Sequence, residues 1–352
     1  MSKVQEFLKK KDVIFSARRY GIDAMGAMAR GLFASLLIGT IISTLGKQLN
    51  IQFLIDAGGF ASSVAGPAMA VSIGYALNAP QLVLFSLIAV GAAANTLGGA
   101  GGPLAVYLIA IAACECGKIV SKETKVDILV TPAVTILIGA GLSQLFAPAI
   151  GAAASSLGNV IMWATELQPF FMGILVSMLV GIALTLPISS AAICAALGLT
   201  GLAGGAAVAG CCAQMMGFAV MSYKENKVGG LVSQGLGTSM LQMPNIIHNP
   251  KVWIAPILAS AITGPMATCL FHLEMNGPAV SSGMGTCGLV GQIGVYTGWV
   301  ADVAAGTKAG ITPMDWIGMI LICFVLPSII SYVICELERK AGWIKEGDLK
   351  LQ

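Results

Sequence analysis

Long apolar runs separated by short polar segments dominate the hydrophobic pattern of this 352-residue chain. No charged residue occurs between positions 57 and 114, and only Glu166 occurs between 129 and 223. Apolar runs of about 20 residues are long enough to cross the hydrocarbon core of a bilayer as α-helices. The pattern therefore predicts an all-α, polytopic membrane protein.

The apolar runs predict about ten transmembrane crossings, some of them broken or re-entrant. Predicted spans and hairpin helices cover residues 24–46, 57–77, 81–95, 104–114, 128–147, 170–186, 188–203, 205–222, 229–243, 252–271, 288–304 and 315–335. Residues 148–164 are less apolar and are expected at the far interface. Four glycines and Pro103 in 96–103 predict a tight turn or a re-entrant tip. Residues 272–290 are again broken and polar.

The most unusual pattern lies at 184–247, an apolar stretch interrupted by Pro187, Pro244 and many glycines. Uncharged polar side chains occur at these interruptions. Irregular backbone at membrane depth is tolerated where it is buried in protein or lines a cavity. Because transporters place their substrate sites at broken helices, this stretch is predicted to hold a substrate site.

Both ends of the chain are polar. Residues 1–23 are predicted to form a basic amphipathic cytoplasmic segment, 24–335 the membrane transport domain, and 336–352 a charged cytoplasmic tail. The first segment lacks the early apolar core and the cleavage site of a signal peptide. The lysines of the loop predicted at 115–127 place that loop in the cytoplasm by the positive-inside rule, as they do both termini.

The overall composition excludes other classes of protein. The chain is 57% hydrophobic and 10% charged, whereas soluble domains carry about 25% charged residues. A net charge of +3 is too small to indicate nucleic-acid binding. The nine cysteines and two histidines lack the spacing of a zinc site, so the cysteines are interpreted as small buried hydrophobes and no metal or cofactor is predicted.

An internal repeat is predicted from a polar echo. The segment SKETKV at 121–126 parallels YKENKV at 223–228, and each follows a hairpin with a glycine-rich middle. Residues 31–40 also resemble 173–182, at a different offset. Transporters are often built from such repeats, although chance similarity between apolar helices is the alternative explanation.

Several segments together carry a family resemblance. They are NAPQLVLFS (78–86), GGPLAVYL (101–108), LPISSAA (186–192), CCAQMMGFAV (211–220), GLGTSMLQMPNI (235–246) and GMGTCGLVGQIG (283–294). From about residue 20 to 335, the chain resembles the membrane IIC components of the sugar phosphotransferase system. It is most similar to their stand-alone branch, which includes regulators of a clostridial toxin.

The resemblance implies a bacterial, multi-pass cell-membrane permease subunit that binds and translocates a sugar or sugar-like solute by alternating access. It also implies a homodimer. In this system a IIB domain, supplied with phosphate through IIA, phosphorylates the sugar as it arrives. The segments outside the membrane domain are too short for IIA or IIB, so coupled uptake would need separate proteins. The alternatives are a membrane sensor or regulator that retains the fold, and an uncoupled or ion-coupled carrier for a non-sugar metabolite.

Neutral amides and hydroxyls suit a sugar site because they cost less to desolvate than charged groups do. The candidates are Ser189, Ser190, Gln214, Gln234, Ser239, Gln242 and Asn245, joined by Asn95, Thr286 and Gln292. Interhelical hydrogen bonding is the alternative role for each amide. His272 and Glu274 are candidate ionisable groups for binding hydroxyls or relaying protons, or else belong to an extramembrane loop. No catalytic set is recognisable, so no enzymatic activity is assigned to this chain alone.

Overall fold

The structure, a computed structural model, describes residues 3–351. Within this range it is all-helical apart from turns, extended connections and one isolated β-bridge between Gly201 and Met275. Six of the described helices are long and apolar enough to cross a membrane, or seven if one bent pair counts as a single span. The all-α polytopic class is confirmed, and the number of about ten crossings stays a prediction.

The chain divides into two compact units, Met1–Ala153 and Ala154–Gln352. The helices of the first unit are α1 Lys3–Lys10, α2 Arg19–Leu49, α3 Gln52–Ser63, α4 Ala65–Ala76, α5 Gln81–Gly98 and α6 Gly102–Val120. Helices α3 and α4 are bent by 50° relative to each other. Helix α7, Asp127–Thr165, begins in the first unit and ends in the second.

Helices α5 and α6 form an antiparallel hairpin. The chain reverses at Gly99, whose φ of +48° lies in the left-handed region that favours glycine. At the open end, a Cβ on Gly117 would meet the methyl groups of Val83 at 3.0 Å, so the two helices are in close contact there. The tight turn predicted at 96–103 is therefore confirmed.

Three local predictions are wrong. The span predicted at 128–147 does not end at residue 147, because α7 continues through both Pro132 and Pro148 as far as Thr165. Membrane helices tolerate proline where other groups satisfy the freed carbonyl oxygens. The loop predicted at 115–127 is helical as far as Val120. The central hairpin turns at 197–200 rather than at residue 204, with Gly198 and Gly201 at positive φ.

Four charged side chains meet inside the first unit. The side chain of Lys118 is only 1% exposed, and its Nζ donates to the carbonyl oxygens of Asp12 at 2.5 Å and Leu77 at 2.9 Å. The same Nζ lies 3.2 Å from Glu115 Oε2. Arg19 donates two hydrogen bonds to the Asp12 carboxylate, at 3.0 and 2.5 Å. The sequence predicts a cytoplasmic segment at 1–23 and a cytoplasmic loop at 115–127, and the structure pairs the charges of these two segments with one another.

Arg19 also donates to the carbonyl oxygen of Leu77, at 2.6 Å. Leu77 follows the last residue of α4, so both Arg19 and Lys118 bind the C-terminal end of that helix. Free carbonyl oxygens make a helix C-terminus negative, and cations are stabilised there. The amino-terminal segment is thus held on the first unit by both ion pairs and helix capping.

The pH dependence of stability should report the Asp12–Arg19 pair. The Arg19 guanidinium beside Asp12 lowers the pKa of that carboxyl from 3.8 to about 2. Because the folded-state pKa is the lower one, the ionised carboxylate stabilises the fold above pH 3.8, and this stabilisation is lost as the pH falls towards 2. We expect Asp12→Asn to lower the melting temperature at neutral pH, with a difference from wild type that shrinks over this interval.

Melting in detergent, followed by intrinsic fluorescence, measures this effect. Asp56→Asn is the matched control, because Asp56 is exposed and accepts a hydrogen bond from Gln52 within its own helix. A loss of stability in Asp12→Asn that is the same at every pH would contradict the prediction.

The second unit is built around α10, Gly201–Met221, whose residues are almost all buried. Its other helices are α8 Pro169–Thr185, α9 Ser190–Ala196, α11 Tyr223–Val232, α12 Met243–His248, α13 Ile254–Pro265, α14 Val290–Ala305 and α15 Pro313–Lys340. Helices α8, α13 and α15 pack against α10. At Gly210, an added Cβ would overlap with the carbonyl oxygen of Ser177, so α8 and α10 approach at backbone distance. Small residues permit such contacts between membrane helices.

An extended segment, residues 271–278, crosses the start of α10. Gly201 and Met275 exchange two backbone hydrogen bonds of 3.0 Å. Leu273 and Met275 are buried, whereas His272 and Glu274 are exposed. This alternation of buried and exposed residues is typical of a single strand with one face on the core. The extended segment then leads into the second broken region, 279–289.

Candidate functional site

The first broken segment, residues 186–189, connects α8 to the short helix α9. Ser189 is the N-cap of α9, and its Oγ accepts a hydrogen bond from the backbone N–H of Ala192 at 3.2 Å. The buried Ser190 Oγ donates to the carbonyl oxygen of Gly283 at 2.7 Å. The first break is therefore joined directly to the second.

The second broken segment, residues 279–289, passes over the middle of α10. Gly285 has a φ of +53°, and a Cβ there would meet the Cβ of Cys211 at 2.7 Å. Only glycine combines this left-handed backbone with such a close approach. Thr286, which is buried, donates to the carbonyl oxygen of Gly235 at 2.5 Å. Two predicted site residues, Ser190 and Thr286, thus lie at junctions of this broken segment.

Gln292 follows the second break, on α14. Gln292 is 6% exposed, and its Nε2 lies 3.2 Å from the sulfur of Cys212. Its Oε1 is buried and has no hydrogen-bond partner among residues 3–351. A buried amide oxygen without a donor is unfavourable by about 1–3 kcal/mol. Gln292 is therefore a predicted site residue with an acceptor available for another molecule.

A second group of predicted residues forms a closed network. Gln214 on α10 accepts hydrogen bonds at its Oε1 from Trp253 Nε1, at 2.7 Å, and from Thr185 Oγ1, at 3.2 Å. Thr185 Oγ1 lies 2.7 Å from Ser239 Oγ, and Gln214 Nε2 donates to Ser260 Oγ at 3.4 Å. These side chains join several helices, which matches the alternative role considered for the amides.

A third group forms what we call the amide ladder, made of Gln234, Gln242 and Asn245. Gln242 Nε2 donates to Gln234 Oε1 at 2.8 Å, and Asn245 Nδ2 donates to Gln242 Oε1 at 2.6 Å. Gln234 Nε2 in turn donates to Ser222 Oγ at 2.8 Å. The ladder ties the irregular segment 233–242 to the end of α10.

The end of the chain lies on the amide ladder. Gln242 Nε2 donates to the carbonyl oxygen of Leu349 at 3.1 Å, and Asn245 Nδ2 donates to that of Lys350 at 3.0 Å. Asn226 Nδ2 also donates to Leu349, at 2.8 Å. This contact could not be predicted from the sequence, because every residue type has the same backbone carbonyl oxygen. The carboxy-terminal residues therefore bind two of the side chains predicted to bind solute.

The remaining predicted residues lie elsewhere. Asn95 is half-buried near the tip of the α5–α6 hairpin, beside Gly66 and Gly102. It belongs to the first unit, whereas the groups above belong to the second. His272 and Glu274 are both exposed, and Glu274 Oε2 accepts a hydrogen bond from Asn276 at 3.1 Å. Within residues 3–351, no three His, Cys, Asp or Glu side chains are grouped as metal ligands.

Comparison with protein families decides the class of the molecule. The family model described as "Phosphotransferase system, EIIC" matches residues 22–351, nearly the whole chain. The chain belongs to this EIIC family. Comparison with curated proteins and with solved structures gives no significant match.

Membership confirms the predicted relationship to the IIC components. This EIIC protein is an integral plasma-membrane protein and a permease subunit for sugar transport. Membership of the family implies that this subunit works with separate IIA and IIB proteins. Its place in the toxin-regulator branch, its homodimeric state and the cytoplasmic location of its termini stay predictions. The match extends to residue 351 and so includes the carboxy-terminal segment that contacts the amide ladder.

Proposed function

We propose that this EIIC protein binds a sugar or sugar-like solute where its two broken segments meet the middle of α10, and moves the solute by alternating access. The observation that carries the proposal is the buried Oε1 of Gln292, which has no donor within residues 3–351. A sugar hydroxyl is a neutral donor that would complete this hydrogen bond without bringing a charge into the membrane.

Hydroxyl groups near the same junction support this choice of solute. Ser190 and Thr286 each use their proton on a backbone carbonyl oxygen, which leaves lone pairs that can accept from a ligand. Ser189 is half-buried and uses its Oγ only as an acceptor within the hydrogen bonds described, which leaves its proton for a ligand. Together with Gln292, these side chains offer both donors and acceptors, as a polyol requires.

The other predicted residues are proposed to support this site. Gln214 and Ser239 use their polar atoms on protein partners, and so do Gln234 and Gln242. Fully paired buried networks favour a single arrangement of the surrounding helices. We therefore assign them to positioning the broken segments, while Asn95, His272 and Glu274 stay predictions from sequence.

Movement of the solute requires backbone that can rearrange. Glycines at positive φ lie near both breaks: Gly198 and Gly201 in the turn between α9 and α10, and Gly285 and Gly288 within the second break. Hinges in transport proteins are a few residues at element ends that absorb large dihedral changes. Phosphorylation of the arriving sugar is proposed to need a separate IIB protein, as membership of the EIIC family implies.

A ligand screen followed by one substitution tests the site. Purified protein in lipid nanodiscs is melted in the presence of a panel of hexoses, pentoses, alditols and organic acids. For the sugar that stabilises most, we expect Gln292→Met to weaken affinity by roughly 5- to 150-fold, the equivalent of a lost buried hydrogen bond of about 1–3 kcal/mol. Without ligand, the same variant is expected to melt at or above the wild-type temperature because an unpaired buried oxygen is removed.

Gln81→Met is the control, since Gln81 is an exposed glutamine at the start of α5. Wild-type sugar affinity in Gln292→Met would contradict the proposed site. Stabilisation by an organic acid and by none of the sugars would contradict the proposed class of solute.

A further inference from the structure

The carboxylate of Glu338, near the end of α15, is buried without a partner. The residue is 5% exposed. Neither Oε1 nor Oε2 has a hydrogen-bond partner among residues 3–351. Within residues 3–351, the buried carboxylates of Glu115 and Glu225 also have one oxygen without a hydrogen bond, but each carboxylate is ion-paired, with Lys118 and Arg339 respectively. Glu338 is therefore the exception that requires an explanation.

Glu338 lies on the face of α15 that packs against the core. The buried residues in this part of the helix are Pro327, Ser331, Cys335 and Glu338, which recur every three or four positions. A Cβ on Gly217 of α10 would meet Ser331 Oγ at 2.5 Å. The stripe that ends at Glu338 thus contacts α10 at Ser331.

The nearby cations are already paired with other carboxylates. Arg339 Nη2 lies 2.6 Å from Glu225 Oε1, and Lys224 Nζ lies 2.5 Å from Glu336 Oε1. Helices α10 and α13, which pack against α15, carry no charged residue. Helix α10 contributes the thiols of Cys211 and Cys212, and α11 contributes Lys224 and Glu225, which form the ion pairs above. Cys323 and Cys335 lie on α15 itself. Lys345, Glu346, Asp348 and Lys350 lie in the segment that follows α15.

An ionised carboxylate in this position would have neither solvent nor a counter-charge. The effective cost of burying such a charge is several kcal/mol. A neutral carboxyl group avoids that cost, and ionisable groups inside membrane proteins characteristically mark proton pathways. We infer that Glu338 is a proton-binding site, occupied in the conformation described here.

The position of Glu338 links the proton to the carboxy-terminal segment. The chain turns directly after it, with Gly342 at a φ of +73°, and Trp343 N–H donates to the carbonyl oxygen of Glu338 at 2.9 Å. Beyond this turn Ile344 and Leu349 are buried, and Leu349 reaches the amide ladder. Hydration of an ionised Glu338 would require this turn to open. Release of the proton is therefore coupled to release of residues 343–351 from the ladder.

This coupling rests on the proposed function in one respect: the amide ladder is taken to support the solute site. Proton binding itself is tested without any solute. Infrared difference spectra of full-length protein in nanodiscs, recorded between neutral and alkaline pH, are expected to show loss of a protonated-carboxyl C=O band in the wild type. The band should be absent from Glu338→Gln and present in Glu346→Gln, which changes an exposed carboxylate. A wild-type spectrum without the band, or an unchanged band in Glu338→Gln, would overturn the inference.

Hydrogen exchange of residues 343–351 tests the coupling. After correction for intrinsic exchange rates, hydrogen exchange of this segment in the wild type is expected to accelerate about tenfold or more as Glu338 releases its proton. The reason is that opening coupled to the loss of one proton becomes about tenfold more favourable with each unit of pH. Glu338→Gln should keep slow exchange throughout, because its neutral amide mimics the protonated acid. Glu338→Asp retains an ionisable group and should keep the acceleration, which guards against a general loss of structure. The same pH dependence in Glu338→Gln as in the wild type would overturn the coupling, whatever the outcome of the sugar experiments.

Discussion

Replacing Lys118 by methionine is expected to destabilise the first unit by about 3–5 kcal/mol. The substitution keeps an unbranched apolar side chain of similar size but removes the buried ammonium that lies between Asp12 and Glu115. Two carbonyl oxygens, those of Asp12 and Leu77, also lose their donor. Buried charges left without a partner dominate such losses. Thermal melting or unfolding in mixed micelles measures the change.

Lys125→Met is the control for this substitution, because Lys125 is exposed and lies seven residues further along the chain. The double variant Glu115→Gln with Lys118→Met should lose less stability than the two single variants added together, since Glu115→Gln removes the carboxylate that Lys118→Met leaves unpaired. Equal melting temperatures for Lys118→Met and Lys125→Met would show that the buried network does not stabilise the fold.

Replacing Gly205 by alanine is expected to disrupt the junction between α10 and the extended segment 271–278. The added Cβ would overlap with the carbonyl oxygen of Leu273, which is backbone and cannot turn aside as a side chain can. Overpacking of a buried position typically costs about 1–3 kcal/mol, and here it also displaces the bridge between Gly201 and Met275. We expect a lower melting temperature, and faster hydrogen exchange at residues 271–278.

Gly59→Ala provides the opposite case. Gly59 also lies inside a helix, but an added Cβ there would have no atom within 4 Å. Alanine is favoured over glycine inside a helix by about 1 kcal/mol, so this variant should be neutral or more stable. If Gly205→Ala and Gly59→Ala have the same melting temperature, the close approach at Leu273 does not constrain the fold.

The class of the protein could be predicted from local properties of the chain. Apolar length predicts helices that cross a membrane, because hydrocarbon cannot satisfy free backbone groups. Glycine and proline likewise indicate turns and breaks, as at Gly99, where φ is positive. These are properties of a few consecutive residues, and they remain the same whatever the rest of the chain does.

The candidate site could be predicted in residue type but not in pairing. Polar uncharged side chains at the breaks were singled out, and the structure brings Ser190, Thr286 and Gln292 to the junctions of the broken segments. In contrast, Gln214 and Gln242 make hydrogen bonds to protein partners far away in sequence. A glutamine that binds solute and one that joins helices have the same side chain, so only its neighbours distinguish them.

By itself the sequence determined that this chain is an α-helical membrane protein of the phosphotransferase EIIC family, with irregular segments at 184–247 and 272–290. Only the tertiary structure decided which polar groups are paired. It buried Lys118, left Glu338 and Gln292 with unpaired oxygens, and placed the last residues on the amide ladder. The reason is physical: helix formation and membrane insertion depend on neighbouring residues, whereas desolvation and hydrogen bonding depend on groups brought together from distant parts of the chain.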